Sequence, residues 1–159
     1  MSPETLAETL VSRCRTRGLT VTTAESCTGG LVAGAITAIP GASDILDRGF
    51  VTYSNAAKTE LLGVPAGLII AVGAVSEAVA RRMATGALSR AKADLAVSVT
   101  GIAGPGGGTA LKPVGTVWFG CATKTGIVTR RRIFPGDRTA IRAASVSFAL
   151  NLLLERIGQ

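Results

Sequence analysis

The chain contains no histidine. That absence removes every catalytic device built on imidazole, Ser-His-Asp and Cys-His alike, and most transition-metal sites with it. A base acting near neutral pH must then be a lysine of lowered pKa, a carboxylate of raised pKa, a thiolate or an amino terminus. Cysteine is scarce: Cys14, Cys27 and Cys121 are odd in number, widely spaced and form no C-x-x-C pair. Neither a disulfide framework nor a zinc knuckle is available. Aromatic residues make up 4% of the chain, with one Trp and one Tyr, which leaves little for stacking on nucleic-acid bases. No apolar run approaches the roughly 18 residues that span a bilayer. Met1-Ser2-Pro3-Glu4 carries acid where a secretory signal carries base, so the expectation is a soluble, cytoplasmic protein with no membrane partner. No G-x-x-x-x-G-K-[ST] loop occurs either.

What is present points to one domain spanning residues 1–159, with 47% apolar residues to build its core. Seventeen Lys and Arg against ten Asp and Glu give a formal charge of +7. Such a surplus favours an anionic partner, either a small phosphorylated ligand or nucleic acid. The one dense basic run, Arg130-Arg131-Arg132, falls in a predicted strand, where alternate side chains diverge onto a solvated edge; nucleic acid is the less favoured partner.

Local signals mark the elements. Ser2-Pro3 starts a helix whose Leu6, Leu10 and Cys14 recur at helical spacing and which Gly18 ends. Alternation over Leu19, Val21 and Thr23 predicts a strand running into Ala24-Glu25-Ser26. Gly29-Gly30 opens a helix of small residues that stops before Pro40-Gly41. Residues 49–54 predict a strand, and Asn55 caps a helix over 56–62 closed by Gly63. Ser76-Glu77 starts another helix, and residues 95–99 read as a buried central strand. Strands over 114–123 and 127–134, joined by Lys124-Thr125-Gly126, predict an antiparallel hairpin. Asp137 caps a long final helix. Interleaved helices and strands make the fold α/β with helices on both faces of a mixed sheet. Two glycine-containing loops, Ser26 to Gly30 and Thr100 to Gly108, follow strands, and in open α/β sheets the ligand crevice lies at such ends.

Four blocks carry residues able to do chemistry, each with a plainer reading beside it. Glu25-Ser26-Cys27-Thr28-Gly29-Gly30 sets hydroxyls and a thiol at a strand-to-helix turn whose amides can hold an anion or oxyanion; equally, Ser26 is a helix cap beside a buried cysteine. In Tyr53-Ser54-Asn55-Ala56-Ala57-Lys58, a lysine near a helix N-terminus is disfavoured as an ammonium ion, the direction a lysine base needs. The alternative is a surface lysine and a core tyrosine. Thr100-Gly101-Ile102-Ala103-Gly104-Pro105 opens a glycine-rich loop suited to close approach to a ligand, or else a mobile surface loop. Arg138 and Arg142, one helical turn apart, suit a phosphate, although such pairs also occur on solvated faces. Cys27 as a thiolate nucleophile and a non-catalytic nucleotide-binding module remain open as alternatives.

Taken together, residues 24–30, 49–58, Gly73-Ala74-Val75-Ser76-Glu77, residues 100–105, 112–117 and Gly136-Asp137-Arg138 resemble the CinA C-terminal domain family over residues 5–155. Its members have been called competence- or damage-inducible, and its stand-alone members are nicotinamide-nucleotide amidohydrolases. The molybdopterin-binding-like domain of fused members is not found in this sequence. The resemblance implies a three-layer α/β/α fold of the anticodon-binding-domain type, with a five-stranded mixed sheet holding one antiparallel strand. It implies hydrolysis of nicotinamide mononucleotide to nicotinic acid mononucleotide and ammonia, without cofactor or metal, by a protein that forms homodimers. Carried onto this chain, Ser26 matches the nucleophile and Lys58 its base, with Tyr53 beside them. Cys27, Thr28, Gly29, Gly30, Ser54, Asn55, Thr100, Gly101 and Gly104 match substrate-cleft positions, and Arg138 and Arg142 the basic end. Ala57 and Gly106 depart from the family's usual Glu and Asp. A Ser–Lys pair needs no histidine.

Overall fold

The computed structural model describes residues 1–158. Twelve elements follow in chain order: α1 (Pro3–Arg17), β1 (Val21–Glu25), α2 (Leu31–Thr37), a 3-10 turn (Ala42–Asp44), β2 (Phe50–Val51), α3 (Asn55–Leu62), α4 (Ala66–Val72), α5 (Glu77–Ala91), β3 (Leu95–Gly101), β4 (Thr116–Thr123), β5 (Gly126–Ile133) and α6 (Arg138–Ile157). The sheet order is β2-β1-β3-β4-β5. β1 runs parallel to both β2 and β3, and β4 is antiparallel to both β3 and β5, so β4 is the one reversed strand, as the family resemblance implied.

Helices cover both faces. α1, α2 and α6 pack together over one, where Leu6, Leu10, Val97, Phe119, Leu150 and Leu153 form the larger core. α5 crosses the other face, flanked by α3 and α4, over a smaller core that includes Leu62, Val79, Met83 and Ala96. This second face packs at close range. A Cβ at Gly86 of α5 would lie 2.0 Å from the Leu62 carbonyl oxygen, and one at Gly120 of β4 would lie 2.7 Å from the Ala80 carbonyl oxygen. Glycine lets α5 settle against both neighbours at distances that no side chain allows.

The helix starts are built alike. Ser2, Ser54, Ser76 and Asp137 each place a side-chain oxygen on an amide three residues on, satisfying one of the donors that a helix start leaves open. The α3 cap is therefore Ser54; Asn55, expected in that role, is the first helical residue. β1 is buried on both faces, and the alternation expected over residues 19–23 gives way to a central strand covered from both sides. β2 is shorter than the expected strand over 49–54. The Thr52 amide still reaches the Glu25 carbonyl oxygen at 2.8 Å, but the carbonyls of Thr52 and Tyr53 turn to a side chain on α3. α4 was not anticipated: its run Ala-Gly-Leu-Ile-Ile-Ala-Val lacks the polar positions that reveal a helical period.

The hairpin of β4 and β5 turns through Lys124 and Thr125, with Thr123 opposite Gly126. β5 forms an edge of the sheet, and its arginines diverge as strand geometry requires. Arg130 pairs with Glu155 at 3.1 Å and Arg132 lies 4.7 Å from the Phe148 ring centre, both against α6. The basic run is tied into the fold. No helix among the described residues is long and apolar enough to cross a membrane.

Candidate active site

β1 and β3 are parallel neighbours, so their carboxyl ends open on the same side, and the loops that follow them face one cleft. Ser26, Cys27, Tyr53, Asn55, Lys58, Thr100, Gly101, Gly104 and Arg138 line it, together with Ala74, Val75, Ile102, Ala103, Gly106 and Gly107. The cavity measures about 310 Å³. Among the described residues no Asp or Glu lines it, and none of the chain's acidic groups clusters in a way that could hold a metal. A larger depression of about 690 Å³ lies against α1, where Arg15 and Asp44 are paired with each other at 3.0 Å.

Lys58 is the centre of the site. It sits on the fourth residue of α3, and because helical side chains lean toward the N-terminus its ammonium group reaches back past the helix start. It is 1% exposed, not the surface lysine that its residue type suggests. Nζ lies 2.9 Å from Ser26 Oγ, 2.9 Å from the Thr52 carbonyl oxygen and 3.3 Å from that of Tyr53. The Ser54 carbonyl oxygen is also within 3.5 Å of Nζ, and the Ser26 hydroxyl itself donates to the Tyr53 carbonyl at 3.5 Å, so every partner of the amine is neutral. Burial pushes the Lys58 pKa down from its ordinary value, while the nearby Cys27 opposes the shift.

The turn carrying Ser26 is held from several sides. The Ser26 amide donates to the Val99 carbonyl, anchoring Ser26 to the end of β3, and the Gly29 amide donates to the Ser26 carbonyl. Gly29 and Gly30 take φ of 58° and 104°, conformations that other residues adopt only under strain. Glu25, 0% exposed, directs both carboxylate oxygens at the start of α2, accepting from Val32 N at 2.8 Å and Ala33 N at 3.0 Å. This corrects the expectation that the helix start there is open to an anion from the substrate: the chain's own carboxylate fills it.

Cys27 is buried against the larger core, and burial pushes its thiol up to about 11. A protonated thiol is a poor nucleophile at neutral pH, which removes the support for Cys27 over Ser26. Tyr53 is no core residue either: it is 61% exposed, with its phenol oxygen accepting from Arg138 Nη2 at 2.9 Å. The other Arg138 nitrogen, Nη1, donates to the Gly104 carbonyl at 2.8 Å. Arg138 thus bridges the two lips of the cleft from the first turn of α6.

The glycine-rich loop is fastened at two points. Besides Arg138 on Gly104, Lys112 Nζ donates to the Val72 carbonyl at the end of α4, at 2.8 Å. Close packing explains two of its glycines, since a Cβ at Gly104 or Gly108 would lie 2.5 Å or 2.8 Å from Val114 atoms. Thr100 is buried at the strand end, its hydroxyl donating to the Ala74 carbonyl at 3.0 Å.

Of the residues expected at the substrate, Thr28, Gly29, Gly30, Ser54 and Arg142 lie outside the lining of the cleft. Ser54 caps α3, Gly30 precedes α2, and Arg142 turns its guanidinium to the carbonyls of Cys27 and Thr28 at 3.0 Å and 3.4 Å. The pair Arg138 and Arg142 therefore diverges: one reaches the cleft mouth and the other the back of the Ser26 turn. Sequence reasoning assigned no role to Glu25, Lys112 or the small apolar wall of Ala74, Val75, Ile102 and Ala103. Glu25 carried a signal, because a carboxylate at the end of a buried central strand needs a buried partner.

A model of the CinA C-terminal domain matches residues 3–157. The chain is 58% identical over 141 residues to the nicotinamide-nucleotide amidohydrolase PncC of Enterobacter agglomerans, covering 88% of this chain and 86% of that protein. It is 53% identical over 155 residues to the protein of the same name from Escherichia coli K12, covering 97% and 94%. Among solved structures, the competence/damage inducible protein CihA from Agrobacterium tumefaciens superposes with a TM-score of 0.95 at 48% identity, covering 99% of this chain and 96% of that one.

Proposed function

The chain belongs to the CinA C-terminal domain family, and from that membership and the cleft we infer that it is an amidohydrolase that converts nicotinamide mononucleotide to nicotinic acid mononucleotide and ammonia. The relatives that carry this activity in their names match nearly the whole chain at more than half identity. The observation that carries the chemistry is the buried Lys58 amine 2.9 Å from Ser26 Oγ, on the floor of a cleft that holds no other base.

Neutral Lys58 takes the Ser26 proton as Oγ attacks the carboxamide carbon. The carbonyl π electrons move to oxygen, and on collapse the C–N bond breaks as the Lys58 ammonium returns the proton to nitrogen, so that ammonia leaves. Water, deprotonated by the same amine, attacks the acyl-serine ester, and serine departs with its proton restored. Tyr53, whose phenol oxygen accepts from Arg138, can relay that same proton from Lys58 to the departing nitrogen and is left with its own O–H restored. With the Val32 and Ala33 amides taken by Glu25 and the Gly29 amide by the Ser26 carbonyl, the amide of Cys27, which lines the cleft, is the donor this turn offers the oxyanion.

A cavity of about 310 Å³ is at the small end for ligand pockets. It suits the pyridine ring and its amide against Val75, Ile102 and Ala103, with the 5′-phosphate outside at exposed Arg138. Every group in this scheme lies within the matched residues, so the single domain suffices for the reaction. The same reading places the activity in the cytoplasm, where pyridine nucleotides are turned over, and the protein in a homodimer. The test is direct. Purified protein incubated with nicotinamide mononucleotide should release one ammonia per nicotinic acid mononucleotide formed, and the Ser26→Ala protein should bind the nucleotide without releasing ammonia. Wild-type protein that binds the nucleotide and leaves it intact would make this a nucleotide-binding module instead.

A further inference from the structure

Arg142 has the residue type and the spacing of a phosphate ligand, yet its guanidinium faces away from the cleft. Its Cα belongs to a rigid stretch of α6: Ile141 before it is buried in the larger core, and buried Ser145 donates to the Ile141 carbonyl at 2.8 Å. From there Nε donates to the Cys27 carbonyl at 3.0 Å and Nη2 to the Thr28 carbonyl at 3.4 Å. A Cβ on Gly29 would stand 3.3 Å from Nη2, so the guanidinium is packed against the turn as well as bonded to it.

The peptide unit is planar and trans, so the C=O of one residue and the N–H of the next point in opposite directions. Holding the Cys27 carbonyl toward α6 therefore fixes the Thr28 N–H away from α6. Holding the Thr28 carbonyl fixes the Gly29 N–H, and that amide donates to the carbonyl of Ser26 itself at 3.0 Å. The Thr28 carbonyl also accepts from the Leu31 amide at 2.9 Å, so Arg142 reinforces that plane and is itself the donor that sets the Cys27–Thr28 plane beside Ser26. Glu25 fixes the far side of the same turn through Val32 and Ala33. The turn lies between an anion on its amides and a cation on its carbonyls.

We propose that Arg142 is a positioning residue for the amide hydrolysis, holding the turn of Ser26 through the carbonyls of Cys27 and Thr28 and making no contact with the substrate phosphate. This rests on the amidohydrolase reading for its kinetic consequences but not for its structural one. Loss of the guanidinium frees the Cys27–Thr28 peptide plane and loosens the next one, at a site where displacement by about 1 Å costs on the order of a hundredfold in rate.

Two measurements test it. In ligand-free protein, hydrogen exchange at the Thr28 and Gly29 amides should quicken at least tenfold in Arg142→Ala, with exchange in β3 unchanged; unchanged exchange at the turn would overturn the proposal whether or not the protein is an amidohydrolase. In turnover, Arg142→Ala should lower kcat about a hundredfold with KM for nicotinamide mononucleotide within threefold of wild type, and the preference for nucleotide over nicotinamide riboside should persist. Arg142→Lys, which retains a cation able to reach one carbonyl, should recover part of the lost kcat, and it carries the same comparison if the alanine variant does not fold. A KM raised tenfold or more at unchanged kcat, with the nucleotide preference lost, would make Arg142 a phosphate ligand. Wild-type protein inactive on the nucleotide would defeat the functional reading while leaving the exchange result to judge this one.

Discussion

Replacing Lys58 by Arg separates the proposed base from every other role that a buried cation could play. An ordinary lysine, with pKa near 10.4, is neutral in only about one molecule in a thousand at pH 7.5. If that fraction alone were active, the rate would be reduced by about a thousandfold, equivalent to roughly 4 kcal/mol of barrier. The structure removes much of that penalty. Lys58 is 1% exposed and has no carboxylate among its hydrogen-bond partners, only Ser26 Oγ and three backbone carbonyls, so burial drives its pKa down and no ion pair restores it. The rate on nicotinamide mononucleotide should therefore rise with pH along a single-proton limb whose midpoint lies well below that of free lysine. Arginine keeps its proton at any pH at which the protein is folded, so Lys58→Arg should lose about four orders of magnitude in kcat, and no alkaline limb should recover it. The assay is ammonia release from pH 6 to 10 for both proteins, beside a binding titration of the variant with the nucleotide. Turnover by Lys58→Arg within tenfold of wild type, or a wild-type limb centred at ordinary lysine pH, would refute the Ser–Lys mechanism.

Other expectations follow from the same geometry. Cys27→Ala should keep activity within about tenfold, and iodoacetamide at pH 7.5 should inactivate slowly, because a thiol pushed up to about 11 by burial is almost wholly protonated there. Removing the exposed cation in Arg138→Ala should raise KM for the nucleotide roughly ten- to a hundredfold and leave that for the riboside nearly unchanged, as measured by initial rates on the two substrates. Gly86→Ala, which stabilises an ordinary helix, should here lower stability by about 1–3 kcal/mol in urea melts, since its Cβ would lie 2.0 Å from the Leu62 carbonyl oxygen. Stability should also fall above about pH 9. Burial pushes Cys14 and Cys27 up to about 11 and Cys121 to about 12, so the unfolded chain loses those three protons first, while Lys58, lowered, works the other way. With three thiols against one lysine, the slope reaches up to about 2.7 kcal/mol per pH unit. Urea melts at pH 8 and 10 measure it, and Cys14→Ala with Cys121→Ala should flatten it.

How much of the fold and of the site is legible in the residues alone differs from element to element, and for physical reasons. Local signals suffice wherever the cause is local. Ser2, Ser76 and Asp137 mark helix starts because a cap acts on amides three residues away, and the hairpin turn follows from the Lys124-Thr125-Gly126 step. The absence of histidine leaves a lysine, a carboxylate, a thiolate or an amino terminus as the base by chemistry alone, and it is the family resemblance that singles out Ser26 and Lys58. Tertiary structure decided what depends on residues distant in the chain. Taken alone, Lys58 suits a surface position on a short helix of weak pattern; only the tertiary fold buries it, against the carbonyls of residues 52–54, and places Nζ against an oxygen 32 positions earlier. Glu25 and Arg142 are ordinary charges in the sequence. They become the two jaws on the Ser26 turn because α2 starts above the end of β1 and α6 passes behind it. Arg138 and Arg142 are equivalent in helical spacing, and the roll of α6 on the sheet sends one to the cleft and the other to the backbone of the turn, since side chains one turn apart are close in direction but not in reach. Residue types and local order determined which groups are present and which chemistry they allow; the parallel pairing of β1 with β3 and the packing of helices on both faces decided which of them meet.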